Sequence, residues 1–241
     1  MTDYVLSDAT RGKLKKISTA SIATALFKRG LRNQFVQGVV PVSPKEETMV
    51  GQAFTLRYIP AREDRNPITV FRNADHPQRV AVETCPPGWV LVMDGRKDSR
   101  AATAGSILIT RLALRGAAGV VSDSGFRDAD GIGKLDMPAF YARPSAPTNL
   151  TLHEALDINV PIACGDVAVF PGDVMVGDKD GVMVIPAHLA EEIAEECTGM
   201  ESYEDFVLEQ VQAGVPIIGL YPCTKDVHWK NYEEWRAKNG R

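Results

Sequence analysis

Residues 89–125, WVLVMDGRKDSRAATAGSILITRLALRGAAGVVSDSG, decide the fold. WVLVMDG (89–95) is a short apolar run ending in an acid and a glycine, the pattern of a buried strand with functional groups at its carboxyl end. In 102–119, Ile107, Leu108, Leu112 and Leu114 recur at helical spacing, and Gly116 closes the helix. GVVSDSG (119–125) is a second strand and its turn. Strand, helix and strand in that order make a βαβ unit with parallel strands, which places the chain in the α/β class.

On the N-terminal side, residues 7–30 read as an amphipathic helix or helix pair, with Ser18 or Ser21 as a cap and Gly30 as the stop. QFVQGVVPV and the alternating MVGQAFTLRYIP are strand-like. AREDRNP (61–67) is a loop, and a helix is predicted near 77–84. On the C-terminal side, the Gly- and Pro-rich FRDADGIGKLDMPAFYARPSAPTN predicts long ordered loops around a short helix or strand. INVPIAC, VAVFPGD, VMVGDKDG and VMVIP predict short strands joined by turns. Residues 188–214 are a long helix. Its stripe runs through Leu189, Ile193, Cys197, Met200, Tyr203, Phe206, Val207 and Val211. The tail GLYPCTKDVHWKNYEEWRAKNGR is polar and aromatic, an arm packed on a neighbour or on the body. No internal repeat or flexible linker is visible. The expected organisation is one α/β domain over 1–241, with its core at about 15–190 and a helix and tail at 188–241.

The 241 residues are 44% hydrophobic, enough for a core held without disulfides or a structural metal. With 27 Lys and Arg against 31 Asp and Glu, the net charge of −4 offers no general basic field for nucleic acid. Apolar runs stop well short of the roughly 18 residues a membrane helix needs. The opening MTDYVLSDATRGKLKK lacks the apolar core of a secretory leader. Cys85, Cys164, Cys197 and Cys223 form no CxxC pair and read as reduced thiols of a cytoplasmic protein. His76, His153, His188 and His228 show no ligand spacing.

No nucleophile elbow, P-loop, GxGxxG after a strand or HExxH occurs. What remains is polar residues at strand ends. Asp94 ends the first strand, Gly105 and Ser106 open the crossover helix, and Arg127 and Asp128 follow the second strand. In a βαβ unit these positions share one edge, where ligands bind. The helix start suits a carboxylate or phosphate. Arg127 can grip a carboxylate with its planar fork. Asp128 is an oxygen ligand suited to magnesium or manganese. The same spacing also fits a surface Arg–Asp pair and an N-cap with no ligand. Asp94 reads either as a strand-end hydrogen-bonding group or as support for a metal site.

GSILITRLALRGAAGVVSDSGFRD resembles a motif of the RraA-like family, which contains 4-hydroxy-4-methyl-2-oxoglutarate aldolases and the regulator of ribonuclease activity A proteins. PSAPTN (144–149), VAVFPGDVMVGDKDGVMVIP (167–186) and STASIATAL (18–26) are similar to further family stretches, and the tail looks like that of longer members. The resemblance implies an α/β sandwich of the swivelling phosphohistidine-domain type, assembled as a homotrimer or dimer of trimers with sites between subunits. It implies a class II aldolase that cleaves a 4-hydroxy-2-oxo acid to pyruvate, with oxaloacetate decarboxylase activity. Asp128 would anchor a divalent cation (Mg²⁺ or Mn²⁺), Arg127 would contact the substrate's oxygens, and the N–H groups of Ile107 and Leu108 would hold the pyruvate carboxylate. A non-catalytic regulator that binds a ribonuclease is the alternative. A menaquinone methyltransferase, a label also attached to such sequences, would need a glycine-rich nucleotide loop that is missing here.

Two positions depart from the family pattern. Ser106 stands where many members carry an acid, and Gly131 stands where Glu or Asp is usual, with Asp130 one step earlier. Proton transfer is the function this puts in question, with Asp130 or Asp94 as candidate replacements.

Overall fold

The computed structural model describes residues 4–240. Its helices are α1 (Asp8–Leu14), α2 (Thr19–Lys28), α3 (Pro77–Thr84), α4 (Ser106–Leu114), α5 (Ala129–Gly133), α6 (Ala190–Gln212) and α7 (Asp226–Asn239). Its strands are β1 (Val40–Pro41), β2 (Met49–Pro60), β3 (Trp89–Asp94), β4 (Ala102–Ala104), β5 (Gly119–Ser122), β6 (Gly125–Phe126), β7 (Ala139–Tyr141), β8 (Arg143–Pro144), β9 (His153–Ile158), β10 (Ile162–Cys164), β11 (Val167–Val169), β12 (Val174–Gly177) and β13 (Val182–Ile185).

The βαβ unit is present. β3 and β5 pair in parallel, with Val90 opposite Gly119, and α4 crosses between them. They lie inside a mixed eight-stranded sheet of order β1-β7-β5-β3-β2-β12-β13, with β9 also bonded to β2. A second sheet, β4-β6-β8, is parallel throughout. Three chain passes feed both sheets: β3 leads to β4, β5 to β6 and β7 to β8. The order of the central strands is thus repeated in the small sheet, and α4 and α5 start from that sheet.

β2 departs from its alternating sequence, being buried along nearly all its length. Both faces of the central sheet are covered. Phe54, Leu56, Leu91 and Val120 lie beneath Ala81 and Val82 of α3 and Ile109 and Leu112 of α4. Ala53, Val90, Val92 and Val121 lie beneath the β10–β11 hairpin, through Ile162, Val167 and Val169. A third cluster joins Leu14, Ile22 and Leu26 of the N-terminal helices to Val174, Val176, Ile193 and Cys197. The inward residues of α4 are therefore Ile109 and Leu112, whereas Ile107 and Leu114 of the predicted stripe are exposed.

Ser18 caps α2 by accepting from Ser21 N–H at 3.1 Å. Gly30, at φ +81°, stands just past the helix end. QFVQGVVPV yields only β1 and one isolated bridge from Phe35 to Met183. In α6, Phe206 and Val207 face α7, where Tyr232 completes a buried cluster with Leu220; Val211 is exposed. The aromatic tail thus packs on the body of its own chain. No helix among the described residues is long and apolar enough to cross a membrane.

Candidate functional site

The small sheet brings two loops side by side. β4 ends at Ala104 and passes through Gly105 into α4; β6 ends at Phe126 and passes through Arg127 and Asp128 into α5. Arg127 N–H donates to Ala104 C=O at 3.0 Å, pinning the second loop to the first. Gly105 has extended backbone (φ −124°, ψ 176°), so its dihedrals suit any residue. Space is what excludes a side chain. A Cβ there would lie 2.7 Å from Arg127 Cγ and 3.1 Å from both Arg127 Cδ and Asp128 Oδ2.

Asp128 is left-handed (φ 59°, ψ 41°), a conformation that Asp and Asn tolerate better than other non-glycine residues. The turn aims its carboxylate back at the start of α4. Oδ2 lies 3.4 Å from Ser106 N and 3.3 Å from Ser106 Oγ, with Arg127 Nε at 3.8 Å. Asp128 and Arg127 are both about half exposed. Gly105 offers α4 no side-chain cap. The first-turn N–H groups of Ile107 and Leu108 precede any acceptor in the helix, so they remain available to an anion at its positive end.

These residues edge a cleft of about 250 Å³. It is lined by Gly105, Leu108, Arg127 and Asp128 from the two loops and α4, and by Phe71, Arg79, Thr148 and Asn149. Gln78, buried at the start of α3, donates to Thr103 C=O at 2.5 Å and to Asn149 Oδ1 at 3.3 Å, which ties α3 to the root of β4. The Arg79 guanidinium stacks over Phe71, 4.1 Å from its centroid. Burial is the sole influence on Arg79, lowering its pKa from the ordinary arginine value without threatening its charge at neutral pH.

The structure therefore gathers Gly105, Ser106, Ile107, Leu108, Arg127 and Asp128 at one place. Asp94 is not brought there. Its Oδ1 accepts from Arg96 N–H at 2.9 Å and its Oδ2 from Ala163 N–H at 3.3 Å, so it fastens the turn after β3 to β10. Beside it, Asp123 accepts from Gly95 N–H at 2.7 Å and from Lys97 and Gly165 N–H at 3.1 Å each. Burial, the largest influence on both, raises both carboxyl pKa values, that of Asp123 to about 6. Asp130 pairs with Lys134 at 2.6 Å in open solvent.

Phe71, Gln78, Arg79 and Asn149 were not singled out from sequence. The predicted helix at 77–84 carried Gln78 and Arg79 in its first turn, and Asn149 closes PSAPTN, but neither pattern names a ligand.

Among the described residues, no three His, Cys, Asp or Glu side chains gather as a metal site. The donors on hand are oxygens: the Asp128 carboxylate and the Ser106 hydroxyl. Such a set fits a hard cation that keeps several waters, and does not fit zinc in an all-protein cage.

A putative 4-hydroxy-4-methyl-2-oxoglutarate aldolase of Halalkalibacterium halodurans is 32% identical over 135 residues, 56% of this chain and 64% of the relative. One from Ectopseudomonas mendocina is 35% identical over 103 residues, 43% of this chain and 63% of the relative. The chain thus spans just under two thirds of these relatives. Among solved structures, Streptomyces coelicolor RraAS2, described as an unusual member of the RNase ES inhibitor RraA protein family, superposes with a TM-score of 0.73. It is 26% identical and covers 83% of this chain and 96% of its own. The family model for RraA-like proteins (Aldolase/RraA) matches residues 19–184, from the first residue of α2 into β13. That span includes both loops of the polar edge, Gly105–Ser106 and Arg127–Asp128, and the chain belongs to the RraA-like family.

Proposed function

We propose that this protein is a divalent-metal-dependent carbon–carbon lyase that releases pyruvate from a 4-hydroxy-2-oxo acid of the 4-hydroxy-4-methyl-2-oxoglutarate type and decarboxylates oxaloacetate. The observation that carries the reading is the convergence of Arg127, Asp128 and the start of α4 on one cleft. The names of the aldolase relatives support it.

The oxo-acid carboxylate sits at the N–H groups of Ile107 and Leu108, where the helix end favours negative charge. Arg127 lies beside the keto oxygen, held there because Gly105 leaves room for its aliphatic stem. As the C3–C4 bond breaks, its electron pair moves into the pyruvate fragment and negative charge grows on the keto oxygen. A fixed guanidinium stabilises that charge more than it stabilises the ground state. Asp128, with the Ser106 hydroxyl beside it, would hold a Mg²⁺ or Mn²⁺ ion that keeps most of its waters. Such an ion would supply a second electrophile for the same developing charge. Aldol cleavage also needs a base for the 4-hydroxyl proton; loss of CO₂ does not.

The same reading includes the swivelling phosphohistidine-domain type of sandwich and a trimer or dimer of trimers. Ile107 and Leu114 of α4, 84% and 78% exposed, support assembly. A cytoplasmic setting is supported by four free cysteines, three of them buried. The second reading is a regulator that binds a ribonuclease, favoured by the RNase ES inhibitor family of the RraAS2 neighbour. A space reserved for the Arg127 stem favours the enzyme, since a protein-binding surface has no need of it.

The test is pyruvate formation from oxaloacetate and several 4-hydroxy-2-oxo acids, with Mg²⁺ or Mn²⁺ and with chelator. Metal-dependent release above the protein-free rate supports the lyase; none with any substrate returns the regulator.

A further inference from the structure

The cleft that holds Arg127 is also lined by a second cation that the chemistry above does not use. Arg79, half-buried in the first turn of α3, lies with its guanidinium 4.1 Å from the Phe71 ring centroid. Phe71 in turn meets the ring of His76 edge-on at 5.3 Å, and His76 is only 7% exposed. Gln78, next in the chain, is fixed by its bonds to Thr103 and Asn149. The stacked, supported guanidinium is therefore held in place before any ligand arrives.

Its donors are largely unspent. Arg79 takes part in none of the ion pairs among the described residues, and its hydrogen-bond acceptor is the neighbouring Gln78 Oε1 at a long 3.4 Å. Arg111 and Arg115, farther along the same helical layer, are by contrast paired with Glu83. The charged side chains lining the cleft are Arg79, Arg127 and Asp128, two guanidinium groups against one carboxylate. A half-buried arginine without a carboxylate partner, facing a cleft of this size, suits a planar oxyanion held by its fork.

We propose that Arg79 on its Phe71 platform is a specificity-determining residue that receives a second carboxylate at the far end of the substrate. The cleft would then select oxo acids bearing two carboxylates over those bearing one. The proposal rests on the oxo-acid reading of the Arg127 side, and its test is a binding measurement that does not depend on turnover.

Calorimetric titration with 2-oxoglutarate and 2-oxopentanoate, in Mg²⁺, compares ligands of equal chain length that differ in the distal carboxylate. The wild type is expected to bind 2-oxoglutarate at least tenfold more tightly. Arg79→Met should bring the two affinities within about twofold, and Arg79→Lys, which keeps the charge but not the fork, should retain part of the preference. Phe71→Leu, which leaves the arginine but removes its platform, should also narrow the ratio, and it serves if Arg79→Met does not fold. No preference in the wild type, or one undiminished in a folded Arg79→Met or Phe71→Leu protein, would overturn the proposal. Pyruvate release is followed separately. Its absence beside an intact, Arg79-dependent preference would count against the lyase and in favour of the dicarboxylate site.

Discussion

A Cβ built on Gly131 would lie 3.4 Å from the Cβ of Ser106, an ordinary contact, so the two positions that depart from the family pattern are spatial neighbours. Both stand beside Asp128, through the Ser106 hydroxyl and through the first turn of α5. Acids at these positions would sit together beside Asp128. Here neither is present, and Asp130 is engaged with Lys134.

The first prediction follows. Oxaloacetate decarboxylation, which needs only charge stabilisation, should exceed cleavage of 4-hydroxy-4-methyl-2-oxoglutarate. Ser106→Asp with Gly131→Glu should raise aldol cleavage relative to decarboxylation, since a positioned base contributes about 10²–10⁴-fold. The ratio of kcat/KM for the two substrates, at one Mg²⁺ concentration, is the readout. Aldol cleavage already faster in the wild type, or a ratio unmoved by the substitutions, would show that another group supplies the base.

Gly105→Ala should cost activity and spare the fold. The added methyl group would collide with the Arg127 stem at 2.7 Å and must push it aside. Misplacing the guanidinium should lower kcat/KM by at least tenfold. The site is open to solvent, so the melting temperature should stay within about 4 °C. Full activity in the alanine variant would remove Arg127 from the chemistry.

Much of this site was legible because its elements are local. The βαβ unit rests on three consecutive apolar runs, and Gly105, Ser106, Arg127 and Asp128 stand at the ends of its pieces. What sequence could not show is that each central strand breaks and resumes in a second sheet. Asp123 and Ser124 look like a turn, yet they are a buried bridge between β5 and β6. The break places Arg127 and Asp128 at the end of β6, and leaves Asp94 behind at the turn after β3. The alternation in β2 misled for a related reason: apolar residues on the second face are covered by a distant hairpin. Arg79 and Phe71 went unseen because their wall assembles only when α3 docks against β4 through Gln78.

The bridge carries its own prediction. Asp123 is held at a pKa of about 6, above the ordinary aspartate range near 4, because burial and then nearby Asp94 outweigh its three N–H donors. The folded chain thus binds this proton more tightly than the unfolded chain does. Its contribution to stability is complete below about pH 4 and is lost as pH rises through about 6. Against Asp123→Asn, which does not titrate, the wild type should lose on the order of 2 kcal/mol of relative stability between pH 4 and pH 7. Urea unfolding at both pH values measures it. A difference that grows in favour of the wild type as pH rises would mean that the N–H donors win.

Assembly is tested by mass. Light scattering at micromolar concentration should give three or six chains of 26.2 kDa, with the exposed Ile107 and Leu114 covered in the oligomer. A monomer would exclude a site shared between subunits.

The most direct test of the lyase is Asp128→Asn. Asparagine tolerates the left-handed backbone at φ 59°, so the substitution removes the charge and leaves the turn. Initial rates of pyruvate release from oxaloacetate with Mg²⁺ should be compared for both proteins, after subtracting the protein-free reaction. The account predicts at least a hundredfold loss in the variant, together with loss of the Mg²⁺-induced rise in melting temperature that it expects of the wild type. Equal rates in the two proteins would place the chemistry away from the Arg127–Asp128 edge and contradict the account.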